Sequence, residues 1–222
     1  MSGAVRVLVF DLDGTLVPTM EDYADKAATL MHAAFATPVD EARQAYWATS
    51  GLPFERQLRQ LYPGHDTDPV AEAFESWKDG YLSGIALPAD VAALLSGWRT
   101  AGFHVAISSN NLECYVDRLA RDWPVDCALG YRAASADDAG FGKGEPHFTA
   151  LESRFALPRS QFLFTGDSPN DARIAAAAGV PFRALLTPAF TVEDFESAVA
   201  GTAIIENLAD LDSVLAPQAA LG

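Results

Sequence analysis

Apolar residues run along this chain in two different rhythms. Over residues 5–10 they are almost continuous, Val-Arg-Val-Leu-Val-Phe, and the run ends abruptly at Asp11. Such a run reads as a strand buried on both faces of a parallel sheet. The rhythm then changes. Over residues 21–37, Tyr23, Ala27, Leu30, Met31, Ala34 and Phe35 recur at helical spacing until Pro38 closes the stretch. Residues 40–49 read as a second helix and Ser50-Gly51-Leu52-Pro53 as a turn, with Pro53 suited to opening a third helix that runs to Tyr62. Pro63-Gly64 breaks that helix, and a fourth is expected over residues 68–82. None of these stretches alternates like a strand. Residues 17–87 are therefore predicted to form a helical unit inserted after the first strand.

Beyond residue 87 the two rhythms alternate. Residues 89–101 predict a helix with Val91, Leu94, Leu95 and Trp98 inward and Gly102 as its stop. A strand is expected over 103–108, a helix over 112–121 and a short strand over 127–131. Phe148, Leu151 and Phe155 mark another helix, followed by a strand over 161–165 and a helix over 172–178 with Gly179 just past its end. Strands over 182–186 and 202–205 (the latter at an edge) and a helix over 208–215 complete the pattern. Such alternation predicts an α/β fold, a Rossmann-like parallel sheet with helices on both faces. Its domain would comprise residues 1–16 and 88–222, with the all-helical insertion over 17–87 as a second domain.

Composition narrows the setting. The net charge of −15 argues against nucleic acid or an anionic membrane surface as partner. No apolar run reaches the length of a membrane span. Met-Ser-Gly-Ala leads straight into the first strand, so no secretory leader is expected. Cys114 and Cys127 are too few for a disulfide framework and stand in apolar company, which suggests two buried thiols in a reducing cytoplasm. An anionic ligand would have to find its positive charge locally, from a metal, a lysine or helix N-termini.

Polar chemistry gathers where strands end. Asp11 and Asp13 follow the first strand, and Gly14 lets the backbone turn close to a ligand. Two acids there invite a hard divalent cation. Ser108-Ser109-Asn110-Asn111 ends the second strand, with groups able to hydrogen-bond an anion or to cap the next helix. Gly140-Phe141-Gly142-Lys143-Gly144-Glu145-Pro146 sets one lysine in a glycine-rich loop, suited to a phosphate oxygen or simply to solvent. Gly166-Asp167-Ser168-Pro169-Asn170-Asp171 follows another strand, and Ser168 with Asp171 has the spacing of a capping box. That box explains Asp171 but gives Asp167 no structural duty.

Asp-Leu-Asp-Gly-Thr, Ser109, Lys143 and Gly-Asp-x-x-x-Asp, in this order, resemble the motifs of the haloacid-dehalogenase-like phosphohydrolases, and the resemblance spans essentially the whole chain. The inserted helices resemble a C1-type cap, as in phosphoglycolate-phosphatase-like and β-phosphoglucomutase-like members. The resemblance implies a phosphatase acting on a small-molecule phosphate monoester, with Asp11 as nucleophile forming an aspartyl-phosphate and Asp13 as general acid and base. It implies Mg²⁺ held by the Asp11 carboxylate, the Asp13 backbone carbonyl and Asp167, with Asp171 binding metal-bound water or orienting Lys143. Ser109, Asn110 and Lys143 would hold the phosphoryl oxygens. Asp13 speaks against dehalogenation. Phosphonatases use a cap lysine, and Lys26, the early lysine of this cap, is explained by a surface helix. A phosphomutase of the β-phosphoglucomutase type and a non-enzymatic binding protein remain as alternatives. Gly51, Phe54 and Arg56 are the cap residues expected to read the substrate, in a cytoplasmic monomer or homodimer. Two departures stand out: Gly144 replaces the first proline of Lys-Pro-x-Pro, and Pro18-Thr19 stands where relatives have Asp-Ser.

Overall fold

The computed structural model describes residues 4–133 and 140–219. The chain divides into two compact units: Pro18–Ala86 is one, and the chain on either side of it is the other.

The larger unit is built on strands β1 (Val7–Phe10), β2 (His104–Leu112), β3 (Cys127–Tyr131), β4 (Phe162–Gly166), β5 (Phe182–Leu185) and β6 (Ile204–Ile205). They form one parallel sheet in the order β3-β2-β1-β4-β5-β6. β1 lies in the interior, and all four of its residues are fully buried. Val7 and Val9 face a core shared with Phe148, Leu151, Phe162 and Phe164. On the opposite face Phe10 stacks on Trp98 at 5.5 Å. The chain leaves β1 toward β2 on one side and returns to β4 on the other. That reversal makes the carboxyl end of β1 the switch point of the sheet, where such folds open a crevice.

Around the sheet run α5 (Ala89–Thr100), α6 (Glu113–Ala120), α7 (Glu145–Phe155), α8 (Pro169–Ala178), α9 (Val192–Ala198) and α10 (Leu211–Ala219), numbered after the four helices of the smaller unit. Three features depart from the sequence reading. β2 continues to Leu112 because its ladder with β3 resumes after a register shift beyond Ser108. The seven-residue α9 is too short to show a periodicity and is set by a Thr191–Asp194 capping box. Cys114 is exposed, since α6 turns Tyr115, Val116 and Leu119 inward instead; Cys127 is half-buried.

The smaller unit holds α1 (Met20–Phe35), α2 (Val39–Ala48), α3 (Phe54–Leu61) and α4 (Asp68–Leu82). Its centre is aromatic. Phe74 meets Phe54 at 4.3 Å, with Tyr23, Tyr46 and Trp77 around it. Arg43 ties α2 to Asp25 of α1 at 2.7 Å and to Glu21. Among the described residues, no helix is long and apolar enough to cross a membrane.

Candidate active site

The β1 ladder carries on one residue past the strand, where the Asp11 N–H donates to the Thr165 carbonyl at 2.9 Å. This fixes Asp11 at the mouth of the sheet, 6% exposed. The chain then folds back on itself, with Gly14 at φ 84° donating to the Val17 carbonyl and Leu16 to that of Leu12. A left-handed φ at that turn favours glycine.

Lys143 lies between two carboxylates. Its Nζ donates to Asp11 Oδ1 at 2.7 Å and to Asp171 Oδ1 at 2.8 Å, with the lysine side chain only 3% exposed. The second oxygen of Asp171 accepts from the Ser168 hydroxyl at 2.6 Å and from its N–H. The capping box expected from the sequence is present, and Asp171 orients Lys143 as well. Gly166 makes room for this: a Cβ there would stand 2.7 Å from Asp171 Oδ2. Asp167, 3% exposed, receives the Thr15 hydroxyl at 3.4 Å.

Asp11, Asp167 and Asp171 bring one carboxylate oxygen each within 4.8 Å of the others. Burial pushes Asp11 up to about 7, with Asp171 and Asp13 adding to the rise and Lys143 opposing it. Burial, then Asp11 and Asp171, raise Asp167 well above the usual carboxylate range. Burial works against the charge on Lys143, but Asp11 and Asp171 overcome it and hold the ammonium protonated. Three buried acids facing one ammonium leave negative charge uncompensated. An all-oxygen donor set of this kind fits a hard divalent cation.

The end of β2 forms the other wall. Ser109, 1% exposed, accepts the Asn111 N–H on its Oγ at 3.0 Å, which leaves its hydroxyl proton to be donated elsewhere. Asn110 accepts the Lys143 N–H on its Oδ1 at 3.1 Å, so it fastens the lysine loop to β2. Asn111 donates from Nδ2 to Asp13 Oδ2 at 3.1 Å. Below them His147, fully buried, joins Gly130 O through Nε2 at 3.1 Å and Ser108 Oγ through Nδ1 at 2.9 Å. A carbonyl only accepts, so Nε2 carries the hydrogen and Nδ1 accepts from the serine. Burial, helped by the charge of Lys143, pushes His147 down to about 3 and keeps it neutral.

Asp11, Lys143, Asp167 and Asp171 thus form one cluster, with Asn110 bonded to its lysine. Asp13 and Ser109 are linked to each other through Asn111. Thr15 and Asn111 stand in the sequence motifs without a role of their own, and His147 was not singled out by sequence reasoning. The register shift after Ser108 breaks the alternation from which side-chain direction could have been read. In the helical unit, Gly51 turns the chain at φ 89°, while Arg56 is exposed. Phe54 is 6% exposed and packs on Phe74 and Tyr46, so its ring serves the interior of that unit. A pocket of about 900 Å³ lies along α5 and the turns after β5 and β6, and of the residues that touch the acids it includes Thr15 alone.

A family model described as haloacid dehalogenase-like hydrolase matches residues 5–179. The phosphoglycolate phosphatase of Mesorhizobium japonicum is 29% identical over 184 residues, covering 79% of this chain and 80% of the relative. That of Pectobacterium atrosepticum is 29% identical over 183 residues, covering 79% and 78%. Among solved structures, a hydrolase from Pseudomonas syringae superposes with a TM-score of 0.76 at 17% identity, over 96% of this chain and 98% of that one. CbbY from Rhodobacter sphaeroides in complex with phosphate gives 0.69 at 19% identity, over 93% and 96%. These two structural likenesses concern the fold. Since the family match takes in β1, β2 and β4 together with every acid of the site and its lysine, the chain belongs to the haloacid dehalogenase-like hydrolases.

Proposed function

We propose that this hydrolase is a phosphatase that cleaves a small-molecule phosphate monoester through an aspartyl-phosphate on Asp11. The observation that carries the reading is the buried Asp11 carboxylate with Lys143 Nζ at 2.7 Å on one oxygen, inside a cluster of acids. The lysine fixes one oxygen of Asp11 and leaves the other to attack.

In the first step that oxygen bonds to phosphorus, the bond from phosphorus to the ester oxygen breaks, and Asp13 gives the departing alkoxide its proton. Lys143 and the Ser109 hydroxyl offset the charge gathering on the phosphoryl oxygens. In the second step Asp13 takes a proton from water as the water bonds to phosphorus. The bond from phosphorus to Asp11 breaks, releasing inorganic phosphate and restoring the Asp11 carboxylate and the protonated Asp13. Mg²⁺, held by Asp11, Asp167 and the Asp13 backbone carbonyl, would screen the nucleophile from the phosphoryl charge. Asp171, with its oxygens engaged by Lys143 and Ser168, suits an orienting role.

The curated relatives support hydrolysis over phosphoryl migration, since both are named phosphoglycolate phosphatases. Choice of ester falls to the helical unit, with Gly51 and Arg56 as the residues that read it. The test is hydrolysis of p-nitrophenyl phosphate and a panel of phosphorylated metabolites with Mg²⁺ and with chelator. Metal-dependent release of phosphate, with a phosphoryl group trapped on the peptide carrying Asp11, is the expected result. Full activity in chelator, or a trapped enzyme labelled elsewhere, would overturn it.

A further inference from the structure

Asp13 sits beside a tight turn and is only partly buried. Its carboxylate therefore needs a partner to hold one orientation. One partner is Asn111, itself 4% exposed and fixed at both ends. Its backbone N–H is bound to Ser109 Oγ at 3.0 Å, and its Oδ1 accepts the Leu112 N–H, also at 3.0 Å. A backbone N–H can only donate, so that contact settles which end of the amide is oxygen. The other end must be the NH₂ group, and it faces Asp13 Oδ2 at 3.1 Å.

We infer that Asn111 is a positioning residue for the proton transfer to the leaving group. An amide N–H can only donate, so Asp13 Oδ2 accepts it, and the contact restrains the orientation in which the carboxyl group exchanges its proton with the ester oxygen. Asn111 does not touch the ester; it acts through Asp13. It also shares the Ser109 turn, so the phosphoryl-binding hydroxyl and the amide that holds Asp13 lie in one piece of backbone. The inference rests on the reading of Asp13 as general acid.

Leaving-group dependence provides the test. p-Nitrophenolate departs with little help from an acid, whereas the alkoxide of glycerol 3-phosphate needs a proton. Asn111→Asp keeps an oxygen for the Leu112 N–H and removes the donor; Asn111→Leu removes both. In each variant kcat/KM for glycerol 3-phosphate should fall roughly ten- to a hundredfold more than for p-nitrophenyl phosphate. Because Asp13 also serves the second step, p-nitrophenyl phosphate should now give a burst of p-nitrophenol. Equal losses on both esters with no burst, in the variant that keeps its fold, would overturn the inference. Asp13→Asn distinguishes the two levels. If it lacks leaving-group dependence, the reading of Asp13 fails. If it has that dependence while both Asn111 variants lack it, Asp13 keeps its role and Asn111 loses its own.

Discussion

The two units of this chain bury different things. At the mouth of the sheet the buried positions are polar: Asp11, Ser108, Ser109, Asn111, His147, Asp167 and Asp171. Their hydrogen bonds reach between elements, from α7 to β2 and β3, or from the lysine loop to β1 and α8. In the helical unit the buried positions are mostly alanine, leucine and aromatic rings, with polar ties at Thr49, Gln57 and Lys78 among them. One of those ties is local: Thr49 donates to Gln57, which donates to the Leu52 carbonyl, each at 2.9 Å, and so fastens the turn before α3. Buried charge demands fixed geometry, because an unmatched group costs several kcal/mol. Ring packing demands shape and tolerates more variation. The larger unit thus buries groups that need exact partners, and the helical unit mostly groups that need a fit of shape.

The contrast can be broken most severely at the nucleophile. Asp11→Asn should lower turnover by more than about a thousandfold, a loss of ~4 kcal/mol or more, while the unfolding midpoint hardly moves. Activity within tenfold of wild type would remove Asp11 from the mechanism. Phe74→Ala should do the reverse, lowering the stability of the helical unit by about 3–5 kcal/mol. Urea unfolding followed by the fluorescence of Trp47 and Trp77 should show an early transition, and the Asp11–Lys143–Asp171 contacts should survive it. Arg56→Ala should raise KM for the preferred ester roughly ten- to a hundredfold, about 1.5–3 kcal/mol for one charged contact. It should leave p-nitrophenyl phosphate, which has no second anionic group, nearly unaffected. Equal effects on both esters would show that Arg56 does not read the substrate.

The smallest expected effect concerns His147. It is held neutral to about pH 3, whereas in the unfolded chain it takes a proton near its ordinary value of 6.5. Below that value the unfolded state binds more protons, so stability falls as pH falls through the window from 6.5 to about 3. Between pH 7.5 and 5.5 this one group should remove about 1.4 kcal/mol. His147→Gln should flatten that part of the stability profile, and an unchanged slope would show that the histidine is not held neutral.

What could be read from the sequence follows the same division. Asp11, Asp13, Lys143, Asp167 and Asp171 stood out in the sequence because four motifs carrying them follow one another in the order that the family presents. A turn, a cap or solvent could explain several of them singly. The four helices were legible from their spacing, but spacing separates inside from outside only. Phe54 was expected to read the substrate because it flanks the Gly51 turn, with packing inside the unit as the alternative, and its ring lies against Phe74. Asn111 and His147 were not legible for a different reason. One lies past a register shift, and the other looks like any polar residue in the first turn of a helix. Their importance comes from partners far along the chain, Asp13 and Ser108.

Asp171 gives one carboxylate two tasks, starting α8 with one oxygen and steadying Lys143 with the other. The opening of a helix end is normally a harmless local event, frequent and without effect elsewhere. Here it would also take away one of the two carboxylates that hold Lys143, leaving the ammonium on Asp11 alone. Anything that clasps the Lys143 ammonium, phosphate included, should slow amide exchange in the first turn of α8. Amide exchange at the beginning of that helix would then report whether the site is occupied.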